Sequence, residues 1–223
     1  MYRKRHRIFS LIMTVLAVTA VFCSAITLVL YLVPLYDVAA EKLDLPAVTG
    51  YSKEVIRKNY RILIDYNLLW GSKTLEFPDF PSSPSGLAHF KDVKMLFRNI
   101  QILAIIGIPL TFLGYLISKR NHEYSWMRNT CIVSVCLIGG LAASVWYNAA
   151  GTFIFMHKIL FTNVYWQFNP EKDPVIKILP GKIFLLAAIE ACVWILIALV
   201  ILLIRCLVLS RRDRRPSKKQ GKR

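Results

Sequence analysis

The sequence predicts an all-α membrane protein: four transmembrane helices, cytoplasmic N- and C-termini, and two structured extracytoplasmic connections. Three observations predict it. Four apolar runs, at about 8–35, 95–117, 129–147 and 183–203, are each long enough to cross a hydrocarbon layer of about 30 Å. Hydrophobic residues make up 56% of the chain, well above a soluble composition. The formal net charge of +16 is confined to places that a membrane topology explains.

That charge sits in three clusters. Arg3, Lys4, Arg5 and Arg7 precede the first run. Lys119, Arg120 and Arg128 bracket the short link between the second and third runs. Arg211, Arg212, Arg214, Arg215, Lys218, Lys219, Lys222 and Arg223 close the chain. Basic residues mark cytoplasmic segments, so these lie inside, and the connections 36–94 and 148–182 lie outside. Anionic membrane lipid is the partner such clusters fit, and a nucleic-acid partner is excluded. Residues 1–210 form one integral membrane domain, and 211–223 a basic, lipid-facing cytoplasmic tail. The five cysteines all lie in or at the ends of apolar runs, so no disulfide framework is expected.

The first run is too long for a signal-peptide core and no small-residue cleavage box follows it, so it reads as an uncleaved span. The connection after it is too long to be featureless. Ser52 can cap a helix with Glu54 in its first turn. Val55, Ile56, Asn59, Tyr60 and Leu63 then share one face. Phe77-Pro78-Asp79-Phe80-Pro81-Ser82-Ser83-Pro84 cannot be helical and turns the chain into the next helix. Ser85 reads as the N-cap of that helix. His89 then falls in or just past the first turn, where the helix dipole disfavours an imidazolium and leaves the ring neutral. Asp92, three residues on, shares its face and can orient it.

In the second span, Gly107 and Pro109 predict a kink. Gly139, Gly140, Ala143 and Ser144 in the third predict close helix packing. The second outer connection surrounds His157 with apolar residues and reads as a half-buried lid that dips towards the membrane without crossing it. Tyr165 and Trp166 suit the headgroup zone, Trp166 chiefly as an anchor. Asp173-Pro174 starts a turn or orients a histidine. Glu190 is the one ionisable residue deep in a span, either functional or a hydrogen-bonded packing group.

This topology puts His89 and His157 on the outer face, and His6 and His122 on the inner. Two histidines from separate loops are the sparsest set that can act as base and acid in acyl transfer. Asp92 and Asp173 are candidate orienters; Asn59, Tyr60 and Tyr165 are candidate donors to an oxyanion. No metal is expected, because the outer face offers two histidines without a third spaced ligand. No cofactor fingerprint and no nucleophile elbow is present, so the substrate must bring its own nucleophile. A transporter subunit, a scaffold and a membrane lipid hydrolase are the competing readings. Deep polar groups would favour the first, and released fatty acid the last.

Five segments then carry a resemblance: Tyr51-Ser52, Asn59-Tyr60, Gly86 to Lys94, His157 to Phe161, and Asp173 to Pro180. In their order and separation the chain resembles the lipoprotein intramolecular transacylases of Gram-positive bacteria. The resemblance implies a diacylglyceryl lipoprotein substrate with a free N-terminal cysteine amine. The sn-2 acyl chain would move from glycerol to that amine, with no cofactor, to give the lyso-form at the outer face of the bacterial cell membrane. The family's histidines map onto His89 and His157, with base and acid unassigned between them.

Overall fold

The structure, a computed structural model, describes residues 2–213, with side chains from residue 5 onward. Its helices are α1 (Tyr2–Tyr31), α2 (Val33–Lys42), α3 (Leu45–Thr49), α4 (Lys53–Asn67), α5 (Pro84–Asn121), α6 (Ser125–Leu160) and α7 (Gly181–Asp213), with a 3₁₀ turn at Pro174–Ile178. α1, α5, α6 and α7 are long and apolar enough to cross a membrane, so the chain is a multi-pass membrane protein. α5, α6 and α7 each contain the run expected for them and extend beyond it, whereas the first run, expected over about 8–35, is cut at Tyr31 and its last residues fall in α2. Arg211–Asp213 form the last residues of α7; the rest of the basic tail lies outside the described residues.

α1 is the hub of the bundle and packs on α5, α6 and α7, while α6 also packs on α7. The close approach lies between α1 and α5. A Cβ on Gly107 would come within 3.0 Å of the Ala20 Cβ. The small residues expected to serve this purpose in the third span do not: Gly139 and Gly140 face open space. A small-residue pattern only permits contact, and here that surface of α6 faces outward. All five cysteines are free thiols.

The connections build a second core at one end of the bundle. Ser52 caps α4 as expected, its hydroxyl accepting from the Val55 N–H at 3.3 Å. α4 turns Ile56, Leu63 and Tyr66 into a cluster with Tyr36, Leu45, Phe77, Phe80, Phe90, Val175 and Ile178. The Tyr36 hydroxyl donates to the Ile178 carbonyl at 2.8 Å, and its ring stacks on Tyr60 at 3.4 Å. Residues from both connections therefore fold into one unit on which the start of α5 rests. The opposite end, where α1 and α6 begin and α5 and α7 end, has its own small core of Met13, Tyr124, Trp126, Met127, Cys206 and Leu209.

Candidate active site

Two features of the chain aim the site. The first is the start of α5. Ser83, not Ser85, is the N-cap; its hydroxyl accepts from the Gly86 N–H at 3.0 Å. Pro84 takes the first helical position, where its missing N–H and fixed φ fit, and this moves the cap two residues upstream of the expected one. Ser85 is an exposed helical residue whose hydroxyl lies 3.0 Å from that of Ser83. His89 therefore falls in the second turn and is buried, with 5% of its surface exposed.

The second feature is a break in α6. Asn148 adopts extended dihedrals (φ −157°, ψ 87°), so the third span ends where the sequence indicates and a new helical segment begins. The Asn148 side chain restarts it by accepting from the Gly151 N–H at 2.8 Å. This segment carries His157 to the mouth of the bundle.

The two imidazoles meet there, with ring centroids 6.2 Å apart. Phe161 and Phe168 stand edge-on to His89 at 4.8 and 5.4 Å. Phe153 and Trp166 flank His157 at 4.0 and 5.0 Å. Trp166 is thus part of the wall around the pair as well as a residue of the headgroup type. The His157 Nδ1 lies 2.8 Å from the Phe153 carbonyl. A carbonyl can only accept, so Nδ1 carries the proton and the lone pair of the neutral ring is on Nε2. The His89 Nδ1 is sealed from solvent without a hydrogen-bond partner. A buried polar atom left unpaired in this way costs about 1–3 kcal/mol, and an active site is where such a cost is found.

α5 is 38 residues long, well over the about 20 that a hydrocarbon layer needs, and His89 sits in its second turn, at its end. The His89 pKa is lowered to about 4, chiefly by burial, with the neighbouring His157 adding to the lowering and the Asp92 charge opposing both. The ring is neutral at neutral pH, as expected from sequence, but the cause is burial more than the helix dipole, which fades after the first turn.

The remaining candidates divide sharply. Asp92 accepts from the Asn163 side chain at 2.9 Å, which binds the loop after His157 to α5. It acts on His89 through its charge. Asp173 orients neither histidine. It is buried, and its carboxylate accepts both the Ser83 N–H and the Ser83 hydroxyl at 2.7 Å. Gly86 is what admits it, since a Cβ there would lie 2.3 Å from the Asp173 Oδ1. Asn59 is engaged within the fold. Both of its amide hydrogens are used, on the Val55 carbonyl and on Asp79, each at 2.8 Å. The Tyr60 ring stacks on that of Tyr36. Tyr165 is exposed, and its backbone N–H donates to Asn163 at 3.1 Å. Among the described residues no group of three His, Cys, Asp or Glu is placed to hold a metal ion.

Sequence reasoning counted Phe153 and Phe161 among the apolar residues around His157, and both lie four residues from it, within α6 or at its C-cap. It missed Phe168 and Asn163, which reach the site through a loop whose path has no periodicity to read.

A pair of imidazoles in an aromatic enclosure, at the mouth of a membrane bundle, suits proton transfer at a lipid-borne group. Comparison decides which. The sequence profile of the lipoprotein intramolecular transacylase Lit matches residues 11–184. The chain belongs to the lipoprotein intramolecular transacylase family. It is accordingly an acyltransferase, and the acyl-transfer reading stands over the scaffold, transporter and hydrolase alternatives. No curated protein sequence matches the chain. The fold agrees with the family. The membrane integral transacylase Lit from Bacillus cereus superposes with a TM-score of 0.89 at 27% identity, covering 95% of this chain and 98% of that one. Two variants of the same transacylase, with one histidine replaced by arginine or by alanine, each superpose with a TM-score of 0.85 at 26% identity. The match to the arginine variant covers 96% of this chain and 95% of that one. For the alanine variant the shares are 96% and 97%.

Proposed function

We propose that His157 and His89 carry out the intramolecular acyl transfer at the extracytoplasmic face, on a diacylglyceryl lipoprotein whose N-terminal cysteine has a free α-amine. The observation that carries this is the 6.2 Å separation of two imidazole rings brought from separate helices. One acylated cysteine can touch both.

His157 is the base. Its Nδ1–H is held by the Phe153 carbonyl, which leaves Nε2 to take a proton from the substrate nitrogen. The amine is protonated at neutral pH and first releases one proton to the medium. The neutral nitrogen then adds to the sn-2 ester carbonyl and passes its next proton to the His157 Nε2. His89, kept neutral by burial, offers its N–H to the oxyanion that develops. Collapse of the intermediate breaks the bond to the glycerol oxygen, and the His157 imidazolium returns its proton to that oxygen. The acyl chain ends as an amide, the glycerol as an alcohol, and neither histidine changes. Because amine and ester belong to one molecule, holding them together can contribute about 7–11 kcal/mol in favourable cases. The positive-inside distribution supports placing this end outside.

The test is mass spectrometry of a reporter lipoprotein produced with His89→Ala or His157→Ala. Both are expected to leave the diacylglyceryl form unconverted while the protein still inserts. Wild-type amounts of lyso-form from either variant would remove that histidine from the scheme. Stoichiometric free fatty acid would replace transfer by hydrolysis.

A further inference from the structure

At the opposite end of the bundle lies a cavity of about 470 Å³ between the starts of α1 and α6. It takes no part in the chemistry above. Its walls are built in register. On α1, Arg7 is followed four residues later by Leu11; on α6, Arg128 is followed four residues later by Ile132. Residues four apart share a helix face, one turn or about 5.4 Å deeper. Both helices start at this end, so on each wall the guanidinium stands outermost and the aliphatic side chain lies deeper. Leu11, Ile132 and Val133 are open to the surroundings, at 65%, 55% and 40% exposure.

The one carboxylate in the cavity is already engaged. Glu123 accepts from the Ser125 N–H at 3.0 Å and from its hydroxyl, and lies 3.5 Å from the His6 Nδ1. The Ser10 and Ser125 hydroxyls join the two helices at 2.7 Å beneath it. What faces the membrane is therefore two cations over an apolar floor. We infer that this groove binds an anionic phospholipid, its phosphate between Arg7 and Arg128 and one acyl chain along Leu11, Ile132 and Val133. Charge complementarity and the head-to-tail order of the walls select this occupant over a zwitterionic lipid or a soluble anion. The site stands independently of the acyl-transfer reading; only its assignment to the inner leaflet follows from the topology proposed above.

The test is native mass spectrometry of the full-length protein in detergent, titrated with dioleoyl phosphatidylglycerol or dioleoyl phosphatidylcholine. Phosphatidylglycerol is expected to bind more tightly. Arg7→Gln with Arg128→Gln should weaken it by about tenfold or more. The control pair Lys119→Gln with Arg120→Gln removes the same charge at the same end and should change it less than about twofold. Leu11→Asn with Ile132→Asn should also weaken it. Equal loss in the control pair would reduce the effect to general surface charge and overturn the site. Displacement by inorganic phosphate would make it a soluble-anion site, and indifference to the Leu11 and Ile132 changes would remove the acyl-chain contact. Either result overturns the inference.

Discussion

The four histidines fall at opposite ends of the bundle, two at each, and their surroundings differ in kind. His6 and His122 each face a carboxylate: His6 near Glu123, and His122 with its Nδ1 2.7 Å from Asp213. His122 is also 66% exposed and caps α5 in the left-handed region at φ 55°. His89 and His157 face each other and aromatic rings. A histidine beside a carboxylate at the rim of the bundle is a latch between helix ends. A histidine shielded by phenylalanines and left without a carboxylate at hydrogen-bond range keeps its lone pair for a substrate. Burial and the absence of a fixed ion pair, more than residue type, separate chemistry from packing here.

The comparison breaks most directly through activity. Removing either His89 or His157 should lower the rate of lyso-form production by about 10²–10⁴-fold, measured by reporter-lipoprotein mass spectrometry. His122→Gln should leave that rate within about twofold, since exposed ion pairs contribute at most about 1 kcal/mol. A large loss from His122→Gln would erase the distinction between the two ends.

The Asp173 clasp is the next test, because it holds the helix that aims His89. Asp173→Ala strips partners from the Ser83 N–H and hydroxyl and should cost about 2–4 kcal/mol, read as a lower melting temperature in detergent. Gly86→Ala should cost a similar amount by displacing the carboxylate. The double variant should fall short of the sum, since both act on one contact. Strict additivity would show that the clasp is not the shared cause.

Acid sharpens the contrast by a smaller amount. The folded-state pKa of His89 is lowered to about 4 from an ordinary 6.5. Between those values the unfolded chain holds the extra proton. Stability should therefore be full above about pH 6.5 and decline as pH falls towards 4, by on the order of 3 kcal/mol in all. Thermal melts across this window should show the slope in the wild type and a shallower one in His89→Phe. Equal slopes would place the acid sensitivity elsewhere.

The smallest effect concerns Asn163, which ties the loop after His157 to Asp92 at 2.9 Å. Asn163→Ala should cost about 1 kcal/mol and lower turnover modestly, by letting the loop that carries Phe161 and Phe168 shift over His89. Unchanged kinetics would leave the aromatic enclosure supported by packing alone.

The amino-acid sequence alone determined the bundle. Apolar length and charge asymmetry are local properties, and the bilayer thickness converts them directly into spans, so four helices appear at the expected places. Local rules also placed the Ser52 cap and the end of the third span at about residue 147, but not the helical segment that restarts after Asn148. They placed the proline turn into α5 but missed its cap by two residues, because Ser83 and Ser85 are equally good caps until Pro84 takes the first helical position. Only the tertiary structure decided which polar residues do what. Asn59 and Asp173 look like free donors and acceptors in the chain, yet each is consumed by a partner 20 or 90 residues away. The 6.2 Å meeting of His89 with His157 is likewise set by where two connections pack, and long-range packing has no periodicity along the chain from which to read it.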